Sequence, residues 1–292
     1  MCNDEEYKLR RQLDAAIRFG ASDEEIEFLT KKILDFKRPI EREIDTPTDG
    51  EDILPVYHHV SGFSHPIKVV FSSVKPFKAE VAEWGFVPPW VKTVKEAMDP
   101  RKPYNNSLNA QSAGIFEKKT FVAAAKYGRC VVSIDAYYEH HQYNGKTYPF
   151  RIFRKDGKPL LIAAISNKNK LLDEETGEII EKITVATLTT SANPTMARIH
   201  NNPATLKTAG HRMLVILDEE NVGAYLAPYN KSNEEAFQYK ILDLCVPYDE
   251  TKLGYYSVRN LRSRKDMPYI GNVPEIAEPY EWADFDYTRV EG

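Results

Sequence analysis

The sequence predicts an α+β fold in which a mainly antiparallel, curved or barrel-like β-sheet is flanked by helices. Between residues 68 and 189 most segments are short and rich in β-branched and aromatic residues, which is the composition of strands. These segments follow one another through short turns, and this order favours an antiparallel meander over parallel βαβ units. With 292 residues, 42% of them hydrophobic, the chain can bury a sizeable core, and we expect one domain over residues 1–292.

Two helices are predicted near the N-terminus. Residues 4–19 have the pattern of an amphipathic helix that ends at Gly20. Ser22 and Glu25 form a capping box, which predicts a second helix to about Phe36. We expect this helical segment, about residues 4–37, to be an insertion at the surface. Residues 38–52 are polar and contain Pro and Gly, as is typical of a long exposed connection.

The rest of the chain reads as strands followed by short helices. Strands are predicted at residues 68–72, 79–86, 129–134, 148–153, 160–165, 182–189 and 211–217, and helices at 194–200, 219–226 and 233–244. Asn144-Gly145 and Asp156-Gly157 predict hairpin turns between strands.

Composition and charge exclude several classes of protein. The net charge of −4 counts against a general nucleic-acid binder, so that any nucleic-acid contact must be a local groove. Neither a signal peptide nor an apolar run long enough to span a membrane is found, and we therefore expect a cytoplasmic protein without a membrane partner. Cys2, Cys130 and Cys245 are odd in number and form no CxxC pair, which argues against a disulfide framework and a zinc site. Cys130 and Cys245 lie in apolar segments and are predicted to be in the core.

Cys2 has unusual chemical potential because removal of Met1 would leave an α-amine and a thiol on adjacent carbons. The pKa of an α-amine is about 8 and that of a cysteine thiol is about 8.5, so both are reactive near neutral pH. The amine can condense with an aldehyde to an imine, and the thiol can close onto the imine carbon as a thiazolidine. A cysteine after the initiator methionine is equally compatible with an accident of sequence.

Three other positions could carry chemistry or bind nucleic acid. Trp84 and Trp90 flank a proline corner and are either core residues or a platform on which unpaired bases stack, worth about 1–3 kcal/mol per base. Glu139 follows two tyrosines and is a candidate for acid–base work, or a solvated strand end. His200 ends a predicted helix, where the dipole favours the protonated imidazole, so it could donate a proton or simply cap the helix.

Histidines 58, 59 and 65 lie close together in the sequence. Metal ligation by them is conceivable, but cysteine or carboxylate ligands at suitable spacing are missing. A structural turn or pocket wall is the better interpretation, and we predict neither a metal nor a cofactor.

Several segments, taken in order, resemble the SOS response-associated peptidase (SRAP) family. They are Met1-Cys2, Trp-Gly-Phe-Val-Pro-Pro-Trp at 84–90, Asn109-Ala110, Arg129-Cys130 leading to Tyr138-Glu139, and Ile199-His200 leading to residues 212–217. The resemblance implies a monomeric protein that binds single-stranded or junction DNA at abasic sites. It also implies removal of Met1 by the protein itself, and a thiazolidine crosslink between Cys2 and the sugar that shields the lesion from cleavage.

The resemblance also implies roles for individual residues. Asn109 would orient the Cys2 end or the sugar, Glu139 would manage protons during imine formation and reversal, and His200 would act as acid or base toward the sugar. His211, directly before Arg212, is the alternative to His200; choosing His200 requires residues 201–210 to loop out as an insertion. The DNA contacts would come from Trp84, Pro88, Trp90, Gln111, Arg129, Arg198 and Arg212.

Three departures from the family pattern leave other functions open. Gln111 stands where the family usually has an arginine that contacts phosphate, so this contact must come from elsewhere, for example Arg129, Arg198 or Arg212. His140 replaces a usual tryptophan, and Asn3-Asp4 replaces a usual Gly-Arg. The alternatives are an N-terminal-nucleophile amidohydrolase, in which the Cys2 thiol attacks an amide, and a non-covalent DNA-binding relative that has lost the chemistry.

Overall fold

Two β-sheets organise the part of the chain that the computed structural model describes, residues 3–36, 54–74, 77–99, 101–102, 107–265 and 267–291. The strands are β1 (Asp4–Lys8), β2 (Val56–Ser61), β3 (Ile67–Val74), β4 (Phe77–Trp84), β5 (Asn109–Gln111), β6 (Arg129–Ile134), β7 (Ala136–Tyr143), β8 (Lys146–Arg154), β9 (Leu160–Leu172), β10 (Ile179–Ser191), β11 (Arg212–Leu214), β12 (Ile216–Leu217) and β13 (Leu253–Ser257). The α-helices are α1 (Leu9–Arg18), α2 (Asp23–Leu34), α3 (Val94–Met98), α4 (Val122–Tyr127), α5 (Pro194–Ile199), α6 (Pro203–Ala209), α7 (Glu219–Tyr225) and α8 (Glu234–Asp243). None of these helices is long and apolar enough to cross a membrane.

Both sheets are mainly antiparallel. The smaller sheet has the order β13-β8-β7-β1-β2 and contains antiparallel pairs throughout. The larger sheet has the order β11-β10-β4-β3-β6-β9-β12, with β5 and β4 each pairing parallel to β10. Because β9 also pairs with β10, strands β10, β4, β3, β6 and β9 form a closed ring of neighbours. The predicted α+β class with a mainly antiparallel, barrel-like sheet and flanking helices is confirmed.

The core is divided into two main clusters by the alternation of side chains along the strands. On β6, Cys130 and Val132 belong to a cluster that is shared by both sheets and by α1 and α2. Val131, between them, belongs to a second cluster that joins the larger sheet to α4, α7 and α8. The two faces of one strand therefore hold the smaller sheet on one side and a group of helices on the other.

The predicted surface helix at residues 4–19 forms only in part. Asp4–Lys8 is a strand placed between β7 and β2, and only Leu9–Arg18 is helical. Helix α1 is also part of the core, since Leu13 is fully buried and the buried Gln12 side chain bonds to the backbone of Ser133 and Val69. The polar sequence Asp-Glu-Glu-Tyr-Lys can form a buried strand because its charged side chains pair with other charged residues inside the protein. The second helix is confirmed, with the capping box of Ser22 and Glu25 present.

Other predicted elements are largely confirmed, with two differences. Asn144 and Gly145, at φ +48° and +73°, form the β7–β8 hairpin as predicted. The turn at Asp156-Gly157 instead leads from β8 in the smaller sheet to β9 in the larger one. Residues 201–210, expected as a loop, contain α6, because Asn202 caps Pro203 and the residues after it. The predicted connection at 38–52 lies outside the described residues.

The C-terminal segment covers the smaller sheet. Val258, Leu261 and Ile276 pack with Tyr138 of β7 in a separate cluster. Asn272 hydrogen-bonds to backbone groups at the edge of β2. Its side chain accepts hydrogen bonds from the backbone of His58 and His59 and donates one to the Val56 carbonyl. This segment therefore fixes β2, which is one of the two strands beside β1.

Candidate functional site

Strand β1 carries the N-terminal end of the chain into the middle of the smaller sheet. Asp4 pairs with Tyr138 of β7 on one side and with Ser61 of β2 on the other. The carbonyl of Asn3 accepts a hydrogen bond from the Gly62 amide at 2.7 Å. Cys2 lies outside the described residues, and Asn3, which follows it, is held by this backbone bond to Gly62.

Gly62 is required at this point by close packing. A Cβ atom at position 62 would lie 2.8 Å from Leu108 Cδ1 and 3.0 Å from Trp84 Cε3. The Trp84 side chain is fully buried, and its indole N–H donates to the Leu108 carbonyl at 2.9 Å. Trp84 and Leu108 thus pack so closely against residue 62 that a glycine is needed there for the backbone to approach Asn3.

Asn109 is oriented toward the N-terminal end by a chain of hydrogen bonds. Its Nδ2 donates to Asn3 Oδ1 at 2.8 Å, and its Oδ1 accepts from Thr187 Oγ1 at 2.7 Å. Thr187 is opposite Asn109 in the parallel pairing of β5 with β10. The threonine hydroxyl therefore fixes which face of the Asn109 amide is turned to Asn3, the residue that follows Cys2 in the sequence.

Glu139 is buried and borders the same end of β1. It follows Tyr138, the partner of Asp4, so the antiparallel register places it beside Asn3. Its side chain is only 1% exposed, which excludes the interpretation as a solvated strand end. Burial lowers the pKa of both His200 and His140, and the negative charge of Glu139, which favours the protonated imidazole, offsets part of this effect. Glu139 and His200 therefore belong to one site.

The His200 imidazole is neutral, and its hydrogen bonding shows which ring nitrogen carries the proton. Burial lowers its pKa, and the charge of Glu139 offsets only part of this effect. Its Nδ1 accepts a hydrogen bond from the Arg212 amide at 3.2 Å, so the ring proton is on Nε2. The expectation that the end of helix α5 favours a protonated His200 is wrong, because burial outweighs the dipole of a six-residue helix. Neutral His200 can still donate a hydrogen bond from Nε2.

The geometry favours His200 over His211 as the histidine of the site. His211 is exposed, and its Nδ1 contacts the backbone carbonyl of His200 at 2.9 Å. His200 is 1% exposed and interacts with Glu139. Helix α6 projects between the two histidines and returns the chain to β11, so that the residues at 201–210 form an insertion, although a helical one.

Two of the predicted DNA-binding residues are structural. Trp84 has no exposed surface, and the ammonium group of Lys68 lies 3.5 Å from its ring centroid. Arg129 is 5% exposed and donates hydrogen bonds to the backbone carbonyls of Ala125, Lys126, Tyr225 and Ala227. A stacked base needs an exposed ring, and a phosphate needs an exposed cation. These two assignments are therefore corrected. Trp84 is a core residue, and Arg129 connects α4 to the region after α7 by hydrogen bonds.

The other predicted DNA contacts differ in exposure. Pro88 is buried, and its carbonyl accepts from Asn169. Arg212 is 8% exposed, and its guanidinium donates to the backbone and side chain of Thr189. The remaining three, Trp90, Gln111 and Arg198, are half-buried and stay predictions.

The acidic residues at the N-terminal end are neutralised inside the protein. Asp4 is 2% exposed and contacts His59 Nε2 at 3.2 Å. Burial would raise the pKa of Asp4, but the His59 hydrogen bond and nearby positive charges lower it overall. Glu5 pairs with Lys68, and Glu6 pairs with Arg151 at 2.5 Å. These carboxylates therefore do not form a repulsive surface next to the site.

The two other cysteines cannot compete with Cys2 as nucleophiles. Cys130 and Cys245 are buried core residues, as predicted, and burial raises the pKa of each thiol to about 12. Since the thiolate is the reactive form, both are inert near neutral pH.

The clustered histidines have structural partners. His65, at φ +50°, contacts the Trp84 carbonyl through Nδ1, and His59 lies between Asp4 and the hydroxyl of Tyr269. Within the described ranges, no group of three or more His, Cys, Asp or Glu residues is placed to hold a metal ion.

Sequence reasoning missed three residues of the site. Asn3, which Asn109 contacts, was noted only as a departure from the family's usual Gly-Arg. Thr187 was assigned to a strand, but the parallel partner of that strand could not be identified from local patterns. Arg262, whose Nη2 lies 3.4 Å from Asp4 Oδ2, belongs to the basic run Arg-Asn-Leu-Arg-Ser-Arg-Lys at 259–265, and this run was the available signal.

Solved structures and a curated relative are similar to this chain over most of its length. An X-ray structure of a protein from Bacteroides thetaiotaomicron has 26% identity and a TM-score of 0.68, covering 96% of this chain and 100% of the other. An X-ray structure from Bordetella bronchiseptica has 26% identity and a TM-score of 0.52, covering 67% of this chain and 85% of the other. The abasic site processing protein YMR114C of Saccharomyces cerevisiae is 25% identical over 215 residues, which are 73% of this chain. The match covers 51% of the yeast protein, so the chain spans about half the length of this relative.

The family model "SOS response associated peptidase (SRAP)" matches residues 31–262. The matched region includes Asn109, Glu139 and His200, whereas Cys2 precedes it. Because the match covers well over half of the 292 residues, the chain belongs to the SOS response associated peptidase (SRAP) family.

Proposed function

We propose that this protein processes abasic sites in single-stranded DNA by forming a covalent thiazolidine crosslink through Cys2, after removal of Met1. One arrangement carries the proposal: Asn109 contacts Asn3, the residue next to Cys2, and Glu139, whose charge acts on His200, follows the β7 residue that pairs with Asp4. Family membership and the abasic-site processing named for the yeast relative support the substrate class. The protein would bind the DNA as a monomer.

The reaction couples one aldehyde with the two nucleophiles of Cys2. The ring-opened sugar presents the aldehyde, the α-amine adds to its carbon, and loss of one water gives the imine. The thiol sulfur then attacks the imine carbon, and its proton passes to the nitrogen, which closes the five-membered ring. The net change is loss of one water. The product carries no free aldehyde and no imine, so strand cleavage by β-elimination is blocked.

The described side chains suit the proton transfers in this scheme. Glu139 is close to the carbon that loses water, where a carboxylic acid can protonate the departing hydroxyl and the carboxylate can take the proton back. Neutral His200 can donate from Nε2 to the sugar ring oxygen or hydroxyl as the ring opens, because Nδ1 is occupied by the Arg212 amide. Asn109, held by Thr187, fixes the side chain of Asn3, the residue next to Cys2.

A denaturing gel tests the proposal. Purified protein is mixed with a single-stranded oligonucleotide that contains one abasic site, and we expect a stable covalent band. Cys2→Ala retains the α-amine but not the thiol, so its band should appear only when borohydride traps the imine. A double variant, Cys130→Ala/Cys245→Ala, is the matched control and should crosslink like the wild type. Absence of a band, or an undiminished stable band from Cys2→Ala, overturns the proposal.

The alternatives give different outcomes in the same system. An acyl-thioester on Cys2 after incubation with small amides would identify an N-terminal-nucleophile amidohydrolase. Binding and release of the intact oligonucleotide, unaffected by Glu139→Gln or His200→Gln, would identify a non-covalent DNA-binding protein. Retention of Met1 in Glu139→Gln, but not in the wild type, would support self-removal of the methionine.

A further inference from the structure

A single arginine of the C-terminal segment lies at the N-terminal end of β1. Arg262 Nη2 is 3.4 Å from Asp4 Oδ2, and Asp4 is two residues from Cys2. The Asp4 side chain is 2% exposed, whereas the Arg262 side chain is 62% exposed. The guanidinium therefore touches the buried carboxylate with one end while most of the side chain faces solvent beside the site.

The contact with Asp4 leaves most of the hydrogen-bond donors of Arg262 available for another ligand. A guanidinium has five N–H donors in a planar fork, and the Asp4 contact involves one terminal nitrogen at a long distance. Asp4 has a second partner in His59, so its charge does not depend on Arg262 alone. The charge of Arg262 also reaches His140, the neighbour of Glu139, and contributes to lowering its pKa after the larger effect of burial.

The backbone around Arg262 is fixed, so that its charge is held in place. Leu261 is 3% exposed and packs against Tyr138. On the other side, the backbone amide of Arg264 donates to the Met267 carbonyl at 2.9 Å, and the Arg264 guanidinium bonds to the Thr147 carbonyl. Arg262 is thus presented from a rigid segment, which reduces the entropy that is lost when it binds an anion.

The proposed DNA binding needs a side chain near β1 that can contact a phosphate. Position 111 is an uncharged glutamine, and the side chains of Arg129 and Arg212 are buried against backbone carbonyls and Thr189. A strand whose abasic sugar reaches Cys2 must bring its flanking phosphates to the surface around β1. Arg262 is an exposed cation that contacts β1 directly through Asp4.

We propose that Arg262 binds a phosphate of the single strand next to the abasic sugar and thereby supplies the charge that Gln111 lacks. This inference rests on the proposed function and adds a binding residue to it. A guanidinium matches two phosphate oxygens with parallel N–H donors, and an arginine at this position would also fix the direction in which the strand passes Cys2.

Equilibrium binding to a non-reactive abasic analogue separates this contact from the crosslinking chemistry. A single-stranded oligonucleotide with one tetrahydrofuran site, which has no aldehyde, is titrated by fluorescence anisotropy over a series of salt concentrations. Arg262→Gln should raise Kd about tenfold at low salt, and the slope of log K against log salt should fall by about 0.7, the value for one phosphate contact on a single strand. Arg262→Lys should keep most of the slope. Lys170→Gln, which removes an equally exposed charge from β9 in the other sheet, should change neither quantity.

Two further measurements exclude a purely structural role. Asp4→Asn removes the Arg262 partner but should retain the salt slope, whereas a structural Arg262 would make Asp4→Asn and Arg262→Gln equivalent. In the wild type, phenylglyoxal followed by peptide mapping should modify Arg262, and bound oligonucleotide should protect it, whatever the stability of the variants.

Unchanged Kd and slope for Arg262→Gln, or modification of Arg262 that DNA does not slow, would overturn this inference. The crosslinking band of the wild type would then still support the proposed function. Absence of that band, in contrast, would overturn the proposed function itself.

Discussion

Loss of the buried Lys68 ammonium should destabilise the protein strongly, because it would strand a carboxylate in the core. Lys68 and Glu5 have no exposed side-chain surface and pair with each other, and the Lys68 ammonium also lies 3.5 Å from the Trp84 ring centroid. Burial raises the pKa of Glu5 and lowers that of Lys68, so each depends on the other for its charge. Because Glu5 is in β1, the pair ties this strand, which follows Cys2 in the sequence, to the larger sheet.

The magnitude follows from what each variant leaves buried. Removing one partner of a buried ion pair costs about 3–5 kcal/mol, so Lys68→Met should lower the free energy of unfolding by that amount. Replacing both partners by apolar residues is often neutral, and Glu5→Leu/Lys68→Met should recover most of the loss. Urea unfolding followed by tryptophan fluorescence and circular dichroism measures both. A loss below about 1 kcal/mol for Lys68→Met, or a double variant as unstable as the single one, would refute the reasoning.

The remaining predictions concern the site. Gly62→Ala should cost about 1–3 kcal/mol through overpacking against Trp84, and should slow crosslinking with the abasic oligonucleotide by displacing Asn3; an unchanged rate in a gel time course would contradict this. Because the pKa of His200 is lowered in the folded protein, His200 contributes stability at pH values above its ordinary pKa of 6.5. This contribution is lost as the pH falls below 6.5. The difference in unfolding free energy between wild type and His200→Gln should therefore shrink below pH 6.5, and a constant difference would show that His200 is not buried neutral. Asp4, with a lowered pKa, contributes stability above its ordinary value of 3.8 that is lost as pH falls through the folded pKa. Asp4→Asn should be less stable than wild type at pH 7 and equal to it in strong acid, as acid titration of the far-ultraviolet signal would show.

Local patterns predicted the fold where a segment determines its own conformation. The capping box at Ser22 and the Asn144-Gly145 hairpin depend on residues within a few positions of each other, and both were correct. The helix predicted over residues 4–19 from their amphipathic pattern included Asp4–Lys8. They form a strand because Lys68, His59 and Arg151 supply partners for the three acids, and these partners are remote in the sequence.

The candidate site was predictable by residue type but not by geometry. Glu139 and His200 were proposed from their sequence context and their roles stay predictions, and the charge of Glu139 acts on His200. The protonation of His200 was predicted from the helix end, which is local, whereas its burial and the Arg212 amide depend on the tertiary fold. Exposure was the least predictable property: Trp84 and Arg129 have the residue types of a DNA-binding surface but are needed in the core.

Intact mass spectrometry tests the central claim, that Cys2 is the reactive N-terminus, most directly. The free protein should have the mass of residues 2–292. Its adduct with the abasic oligonucleotide should weigh the sum of the two minus one water, and borohydride should leave this mass unchanged, because a thiazolidine has no imine to reduce. A free protein that retains Met1, an adduct that gains two hydrogens on reduction, or no adduct at all would contradict the account.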